Sequence, residues 1–205
     1  MTAPVEQTWQ RIMALLSEHA PATAREIRPP APAAHIERLQ DRVGLQLPAE
    51  LRARWALMDG VDDQRDHGSG NQSGHLIPRD YLPLPVTRAE EEHGRQSRYP
   101  DPACRTPEGA HHKQAGDTGF PFCSAVLPIG RDIGGGLLCV DLRSGEDHGR
   151  VMNWYAGEGI YRSGWTSVTE ILDEIAERLD NYAHNRQLPS RERHLVISDG
   201  ELSWP

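Results

Sequence analysis

Apolar residues in the N-terminal third recur at helical spacing and predict three helices. The apolar face of the first helix consists of Trp9, Ile12, Met13 and Leu16. Their spacing of i, i+3, i+4 and i+7 places them on one side of a helix. The second helix is predicted from Pro32 to Gly44 and the third from Pro48 to Gly60, because proline favours the first turn and glycine the position just after the end.

The second half of the chain carries apolar runs of strand length. They span Ala125 to Ile129, Leu137 to Leu142 and Val151 to Tyr155. Gly-rich or Ser-Gly connections join these runs, which predicts an antiparallel meander. Side chains alternate between the two faces of a strand, so we expect at least one face to be buried and the opposite face to carry the function. A short strand is also predicted at Leu76 to Ile77, where Pro78 limits its extension.

The last strong helix is predicted from Ser167, and a polar tail follows it. Ser167 and Glu170 fit a capping box, in which each side chain accepts a hydrogen bond from the other residue's backbone N–H. The helix then carries apolar residues at helical spacing, namely Val168, Ile171, Leu172, Ile175, Leu179 and Tyr182. Beyond the tail, Leu195 to Ile197 and Glu201 to Leu202 flank a Ser-Asp-Gly turn, which predicts a terminal hairpin or a docked strand.

Two polar excursions separate these elements. Leu, Ile, Val and Phe make up 40 of the 205 residues, just under the ~20% at which disorder becomes a serious interpretation. Without residues 59–75 and 87–123 the count is 37 in 151, which is enough for a packed core. We therefore expect a single domain over residues 1–205, with a polar loop insertion at about 87–119 and a C-terminal extension at about 185–205. Deleting residues 98–118 is expected to leave the fold nearly intact.

Charge and cysteine content limit the partners and the location. The net charge of −8 gives no electrostatic reason to bind nucleic acid or an anionic membrane and favours a basic protein partner. The longest apolar runs are too short for a membrane span, and the N-terminus lacks the basic start of a secretory signal. Three cysteines without a Cys-x-x-Cys pair fit reduced thiols. A cytoplasmic location is expected, and the oligomeric state stays open.

Four short motifs occur in an order that resembles the SMI1/KNR4 family, also called the SUKH superfamily. The first is Gly-Leu-x-Leu-Pro-x-x-Leu-x-x-x-Trp-x-x-x-Asp-Gly at 44–60. The second is Leu-Pro-Ile-Gly-Arg-Asp-Ile-Gly-Gly-Gly-Leu-Leu-Cys-Val-Asp at 127–141. Gly-Arg-Val-Met-Asn-Trp at 149–154 and Ser-Val-Thr-Glu-Ile-Leu at 167–172 follow. The resemblance covers roughly residues 5–182, and its specificity lies in the order and spacing.

The resemblance implies an α+β fold with a central, mostly antiparallel sheet flanked by helices, here with long polar loop insertions. Bacterial members are similar to immunity proteins, which bind and neutralise a cognate toxin such as a nuclease. Fungal members resemble regulators of cell-wall synthesis and signalling that act by binding partners. Neither branch is known as an enzyme. The excursion near 87–119 is longer than the usual connection in the family, so its role stays open.

Candidate chemistry in the sequence is sparse. The glycines at 134–136 lack the Lys-Ser/Thr of a P-loop and lead into a strand, so turn glycines are the simpler interpretation. His111 and His112 lie between Cys104 and Cys123, but this spacing matches no zinc knuckle or ribbon. No serine or cysteine has a nucleophile setting. We therefore predict no catalytic residue, no metal and no cofactor, and regard the protein as not an enzyme.

Acidic and tryptophan side chains are the candidates for partner binding. Acidic residues near the first excursion are able to imitate nucleic-acid phosphates in a basic toxin cleft, and tryptophan is frequent in binding hot spots. The candidate partner-binding residues are Asp59, Asp62, Asp63, Asp66, Asp132, Asp141, Trp154 and Trp165.

Three functional hypotheses follow, from two classes of protein. The first is a non-enzymatic immunity protein that neutralises a cognate toxin by occluding it. The second is a regulatory or scaffold protein of the SMI1/KNR4 type, involved in cell-wall synthesis or signalling. The third, from the class of enzymes, is a metal-dependent hydrolase that uses the histidines of the polar loop.

Overall fold

The computed structural model describes residues 3–62, 74–98, 113–119, 122–184 and 195–204. The helices of this part are α1 (Ala3–His19), α2 (Pro21–Glu26), α3 (Ala33–Val43), α4 (Ala49–Leu57), α5 (Val86–Gln96) and α6 (Val168–Ala183). The strands are β1 (Leu82–Pro83), β2 (Val126–Arg131), β3 (Leu137–Asp141), β4 (Val151–Tyr155), β5 (Gly159–Arg162), β6 (Val196–Ser198) and β7 (Glu201–Ser203). The predicted α+β class is confirmed.

The central sheet is an antiparallel meander in the order β1-β2-β3-β4-β5. Its three middle strands agree with the sequence prediction, and the register between β2 and β3 shifts between Pro128 and Gly130. The short strand predicted at Leu76 to Ile77 is wrong, since Ile77 forms only an isolated bridge with Tyr81. Strand β1 begins instead at Leu82, where a two-residue ladder with β2 includes Pro83 at the sheet edge.

Both faces of the sheet are buried. Leu138, Val140 and Val151 belong to the main core, which α1, α4 and α6 complete. On the opposite face, Leu137, Cys139 and Met152 belong to a second apolar cluster. Its other members are Phe122, Cys123, Ala125, Val126, Trp154 and Ile160. The expectation that one face of the sheet is free to carry the function is therefore wrong, because alternate side chains of the same strands are apolar on both sides.

Part of the predicted polar loop packs against the sheet. Ala115 is buried, and its N–H donates to the Ser144 carbonyl at 2.9 Å. The Gly119 N–H donates to the Ile160 carbonyl at 3.0 Å. The expected tolerance of a 98–118 deletion assumed that this span supplies no core residue. That assumption is wrong at Ala115, and the deletion removes contacts to the β3–β4 connection.

Two of the three cysteines lie in the described residues and in the second cluster. Cys139 is a free, buried thiol, and burial raises its pKa well above the usual value, so it packs as an apolar side chain. Cys123 is disulfide-bonded. The expectation of three reduced thiols is wrong at this position, and a disulfide is more common outside a reducing compartment.

The predicted C-terminal hairpin is confirmed as β6–β7, and it is docked. Trp204 is buried, and its indole Nε1 donates to the His75 carbonyl at 2.9 Å. The Leu202 N–H donates to Thr23 Oγ1 at 2.8 Å. Thr23 lies on α2, a short helix that the sequence analysis did not predict. The end of the C-terminal extension is therefore part of the packed structure.

Helix ends follow the sequence signals with two differences. Gly44 ends α3 in the left-handed conformation, as predicted. Helix α4 ends at Leu57, because Met58 is already extended, so Gly60 lies three residues beyond the helix. At α6, Ser167 Oγ accepts the Glu170 N–H at 3.1 Å, but the Glu170 carboxylate accepts the Thr166 N–H. None of the described helices is long and apolar enough to cross a membrane.

We predict that alanine substitution is far more damaging at Gly60 than at Gly44. Both glycines have positive φ, +72° and +71°, so alanine costs each about 1–2 kcal/mol of backbone strain. A Cβ at Gly60 also lies 2.4 Å from Pro85 N, whereas a Cβ at Gly44 meets nothing within 4 Å. Urea unfolding is expected to show a loss above about 3 kcal/mol for Gly60→Ala. Equal losses for the two variants would contradict the close approach of the Pro85 backbone to Gly60.

Candidate interaction surface

Of the acidic residues near the first excursion, two lie in the described residues, one buried and one exposed. Asp59 is buried, and its Oδ1 accepts the Val86 N–H at 2.7 Å where α5 begins. Asp62 is exposed and accepts a hydrogen bond from Arg28 Nη1 at 2.6 Å. Asp63 and Asp66 lie outside the described residues and stay predictions. The proposed surface role of Asp59 is corrected, because its carboxylate holds the start of a helix.

Asp141 is also structural. The side chains of Asp141 and Arg143 are fully buried and form an ion pair. Arg143 Nε donates to Asp141 Oδ1 at 2.8 Å, and the Gly116 N–H donates to Oδ2 at 2.9 Å. The prediction that Asp141 contacts a partner is wrong, because its oxygens are enclosed and engaged within the chain. The pair instead attaches the segment 113–119 to the end of β3.

Trp154 is buried in the second apolar cluster. It is 8% exposed, and its ring makes an edge contact with Phe122 at 5.9 Å between centroids. The prediction of a partner-binding role is therefore wrong for Trp154, since its side chain fills the face of the sheet opposite the main core.

Asp132 lies in a cluster of tyrosines at one end of the sheet. The Tyr155 hydroxyl donates to Asp132 Oδ2 at 2.5 Å. The Tyr81 hydroxyl lies 3.4 Å from that of Tyr155 and donates to Asn153 Oδ1 at 3.1 Å. The rings of Tyr155 and Tyr161 are stacked, with centroids 6.0 Å apart and planes 11° apart.

Burial raises the pKa of each of the three tyrosines. For Tyr81 the hydrogen bond with Tyr155 adds to the effect of burial, and for Tyr155 the bond to Asp132 does so. For Tyr161 the next cause of the raised pKa, after burial, is the neighbouring Tyr155. The hydroxyls therefore stay neutral at physiological pH, which leaves the cluster amphipathic, with apolar rings and polar tips.

Trp165 lies beside this cluster, under an arginine. Its ring is 4% exposed, with the Arg79 guanidinium carbon 4.8 Å from the ring centroid. Arg79 and Asp80 both have positive φ, 69° and 60°, a rare conformation for residues with side chains. Asp80 Oδ1 accepts the Trp204 N–H at 3.2 Å, which helps to hold this turn. The turn thus presents an exposed cation above Trp165.

Together these neighbouring side chains form a surface, which we call the tyrosine patch. Its accessible members are Arg79, Ile133, Tyr155 and Tyr161, with Asp132 at the base of the Ile133 turn. Ile133 is 57% exposed at the tip of the β2–β3 hairpin. Tyrosine and arginine are enriched in protein-binding hot spots, and Ile133 adds exposed apolar area to them.

An acidic hollow adjoins the tyrosine patch at Trp165. It has a volume of about 370 Å³ and is lined by Trp165, Glu170, Asp173, Glu174, Glu177, Arg178 and Asn181. The Trp165 indole donates to Glu174 Oε2 at 2.7 Å. Hydrogen bonds from Thr166 lower the pKa of Glu170, so its carboxylate stays ionised at neutral pH. The hollow therefore presents a mainly negative surface.

A second groove lies beside Asp62. It has a volume of about 420 Å³, and β1 and the charged face of α5 form part of its lining. Its charges face one another as ion pairs: Arg28 with Asp62, Arg88 with Glu91, and Arg95 with Glu92. Such pairs largely neutralise each other, so this groove is a weaker candidate for binding a charged partner than the acidic hollow.

Within the ranges that the structure describes, no group of three or more His, Cys, Asp or Glu side chains is placed to hold a metal ion. His111, His112 and Cys104, the candidates for the zinc hypothesis, lie outside these ranges. The described part of the chain therefore gives the hydrolase hypothesis no support.

Comparison with known families decides the classification. Residues 30–174, more than two thirds of the chain, match the model of the SMI1 / KNR4 family (SUKH-1). The chain belongs to the SMI1/KNR4 family. The match includes the β2–β3 and β4–β5 hairpins, the Arg79 turn and Trp165, and thus the whole tyrosine patch. No curated protein sequence matches the chain.

The sequence analysis missed the tyrosines of this SMI1/KNR4 domain. Tyr81, Tyr155 and Tyr161 are far apart in the chain and follow no single period. Of the eight predicted residues, Asp132 and Trp165 border the tyrosine patch, with Trp165 itself buried, and Asp62 is exposed at the other groove. The one available signal was Ile133, an isolated apolar residue in a Gly-rich turn.

We predict that Tyr81→Phe destabilises the protein by about 1–3 kcal/mol, because buried Asn153 loses a hydrogen-bond donor. The control Tyr182→Phe, at a tyrosine that is 42% exposed, is expected to change stability by less than about 0.5 kcal/mol. Both values are measured by urea unfolding at neutral pH. A Tyr81→Phe variant as stable as the control would contradict the described hydrogen bond.

The pH dependence of stability, compared between wild type and Tyr81→Phe, tests the raised pKa of Tyr81. A pKa raised in the folded state stabilises the fold below the unfolded value of about 10, and this contribution is lost as pH rises through the folded value. Wild type should therefore lose more stability than Tyr81→Phe between about pH 9 and pH 11. Parallel losses would contradict the burial of this hydroxyl.

Proposed function

We propose that this SMI1/KNR4 domain is a non-enzymatic immunity protein, which binds a cognate toxin and occludes its active site. The observation that carries the proposal is the contact between the tyrosine patch and the acidic hollow at Trp165. Family membership supports a binding role, and the mainly acidic lining of the hollow supports a basic partner, such as a nuclease domain.

The two parts of the surface have different tasks in this proposal. Ile133, Tyr155 and Tyr161 supply apolar area that a partner buries, which contributes most of the affinity. Glu170, Asp173 and Glu177 supply negative charge, which speeds the encounter with a basic toxin and selects against acidic proteins. Carboxylates on this face would take the place of the phosphates that a nuclease cleft binds.

The test is co-expression of the chain with toxin domains encoded beside its gene, followed by calorimetry of the purified pair. We expect protection of the host and a stable complex. Absence of both protection and binding, at a locus without a toxin gene, would instead favour a regulatory or scaffold role of the SMI1/KNR4 type. That alternative shares the fold and the surface, so the identity of the partner separates the two hypotheses.

Matched variants locate the interface. Ile133→Ala is expected to weaken toxin binding by about tenfold, because a partner loses apolar contact worth about 1.4 kcal/mol. The control Val196→Ala removes a similar side chain, 41% exposed on the C-terminal hairpin, and should leave affinity unchanged. Equal effects of the two variants would place the interface elsewhere.

A charge-reversal pair tests the role of the acidic hollow. Glu177→Lys should slow association and reduce its dependence on salt. Glu37→Lys changes the net charge equally on the exposed side of α3 and should do neither. An identical response of the two variants would show that overall charge, rather than the hollow, steers the partner.

A further inference from the structure

One side chain of the acidic hollow is a largely buried amide without a hydrogen-bond partner. Asn181 lies near the end of α6 and is 8% exposed. None of the hydrogen bonds among the described residues involves its amide. The amide oxygen and nitrogen are not enclosed by the core, so the small accessible part of Asn181 opens into the hollow that it lines. Buried polar groups are usually hydrogen-bonded, so this amide indicates a ligand that enters the hollow.

Helix α6 places this amide in line with carboxylates. Glu170, Glu174, Glu177 and Asn181 follow one another at spacings of three or four residues. They therefore lie on one face of the helix, with about 6 Å between the Cβ atoms of neighbours. Asp173 borders this face and also lines the hollow. An unpartnered amide and a stripe of carboxylates thus share one space.

Two of these carboxylates have no cationic partner in the described part of the chain. Glu177 is exposed and takes part in no ion pair or hydrogen bond there. Asp173 accepts a single hydrogen bond, from a hydroxyl of α1 at 3.2 Å. Arg178 is the only cation among the described lining residues, and its Nη2 donates to Glu174 Oε1 at 3.2 Å. The hollow therefore has uncompensated negative charge and unused acceptors beside Asn181.

The spacing of these acceptors favours an organic cation over a metal ion. No described group of three or more acidic side chains converges closely enough to hold a metal, since the members of the stripe lie about one helical turn apart. A guanidinium is planar and has five N–H donors, so it binds a carboxylate through two of them and still offers donors to an amide oxygen. An ammonium is a compact point charge without this fork.

We propose that the acidic hollow is a pocket for one arginine side chain of the partner protein. In this arrangement Glu177 binds the guanidinium, and the Asn181 amide oxygen selects it over an ammonium. The source of the arginine rests on the proposed function, whereas the pocket itself is testable without a toxin. Long-range attraction of a basic protein depends only on net charge, but this pocket depends on the chemistry of the side chain that enters it.

The experiment is a titration of the ¹⁵N-labelled protein with N-acetyl-arginine N-methylamide, followed by NMR at the Asn181 side-chain amide and the Trp165 indole. We expect saturating shifts with a dissociation constant on the order of 1 mM, as is typical for a ligand of this size. The citrulline derivative keeps the shape without the charge and should give no saturation. The lysine derivative should bind at least about fivefold more weakly. Equal binding of arginine and lysine, or no saturation with arginine, would overturn the proposal.

Matched variants assign the pocket to these side chains. Glu177→Gln is expected to weaken binding of the arginine derivative by about tenfold, because a charge-assisted hydrogen bond is lost. Glu37→Gln makes the same change of net charge on the exposed side of α3 and should leave binding unchanged. Equal dissociation constants for these two variants would overturn the proposal.

The amide is tested by Asn181→Leu, which keeps the size of the side chain. Because the amide has no hydrogen bond to lose, this variant is expected to fold, and it should bind the arginine derivative no better than the lysine derivative. A retained preference for arginine would contradict the role of Asn181. If the variant does not fold, the Glu177→Gln comparison still decides whether the pocket exists.

Measurements with a toxin separate the pocket from the proposed function. A toxin that binds wild type, Glu177→Gln and Asn181→Leu with equal affinity would overturn the pocket and leave the immunity role standing. Binding of the arginine derivative as described, in a protein that binds no toxin, would support the pocket and count against the immunity role.

Discussion

Burial of the central sheet on both faces is the constraint on which the other features depend. A chain with few aliphatic residues covers one face with α1, α4 and α6, and Phe122 and Cys123 pack into the apolar cluster on the other. The segment 113–119 hydrogen-bonds to Ser144 and Ile160. The buried Asp141–Arg143 pair holds that segment through Gly116. An isolated buried carboxylate would be costly, but here each Asp141 oxygen has donors, so the pair specifies where the segment attaches.

Because the faces are covered, the proposed recognition surface lies at the ends of the sheet. The β2–β3 turn exposes Ile133, and the β4–β5 hairpin presents stacked Tyr155 and Tyr161. The Arg79–Asp80 turn holds a backbone conformation that is unfavourable for both residues, and its contact with Trp204 connects it to the C-terminal hairpin. Strained, anchored turns of this kind are common at functional sites. The surface is therefore positioned by the core rather than by flexible loops.

Local patterns in the sequence were sufficient to predict most helices and strands and insufficient to predict the tyrosine patch. Helices α1, α3 and α6 and strands β2 to β4 follow from periodicity, proline, glycine and one capping serine. Strand β5 is short, with a single aliphatic residue, Ile160, so its pairing with β4 depends on tertiary context. Burial of Asp141 depends on Arg143 and on a distant Gly116, and the tyrosine patch assembles from separate hairpins. Such long-range contacts leave no local period in a sequence.

Hydrogen–deuterium exchange of the complex with a neighbour-encoded toxin tests the central claim most directly. That claim is that recognition lies at the end of the sheet and along the acidic hollow. Binding is predicted to increase protection at residues 79–81, 132–136, 155–161 and 170–178, with no change along α3. Protection confined to the groove beside Asp62, with unchanged exchange in the β2–β3 and β4–β5 hairpins, would contradict the account.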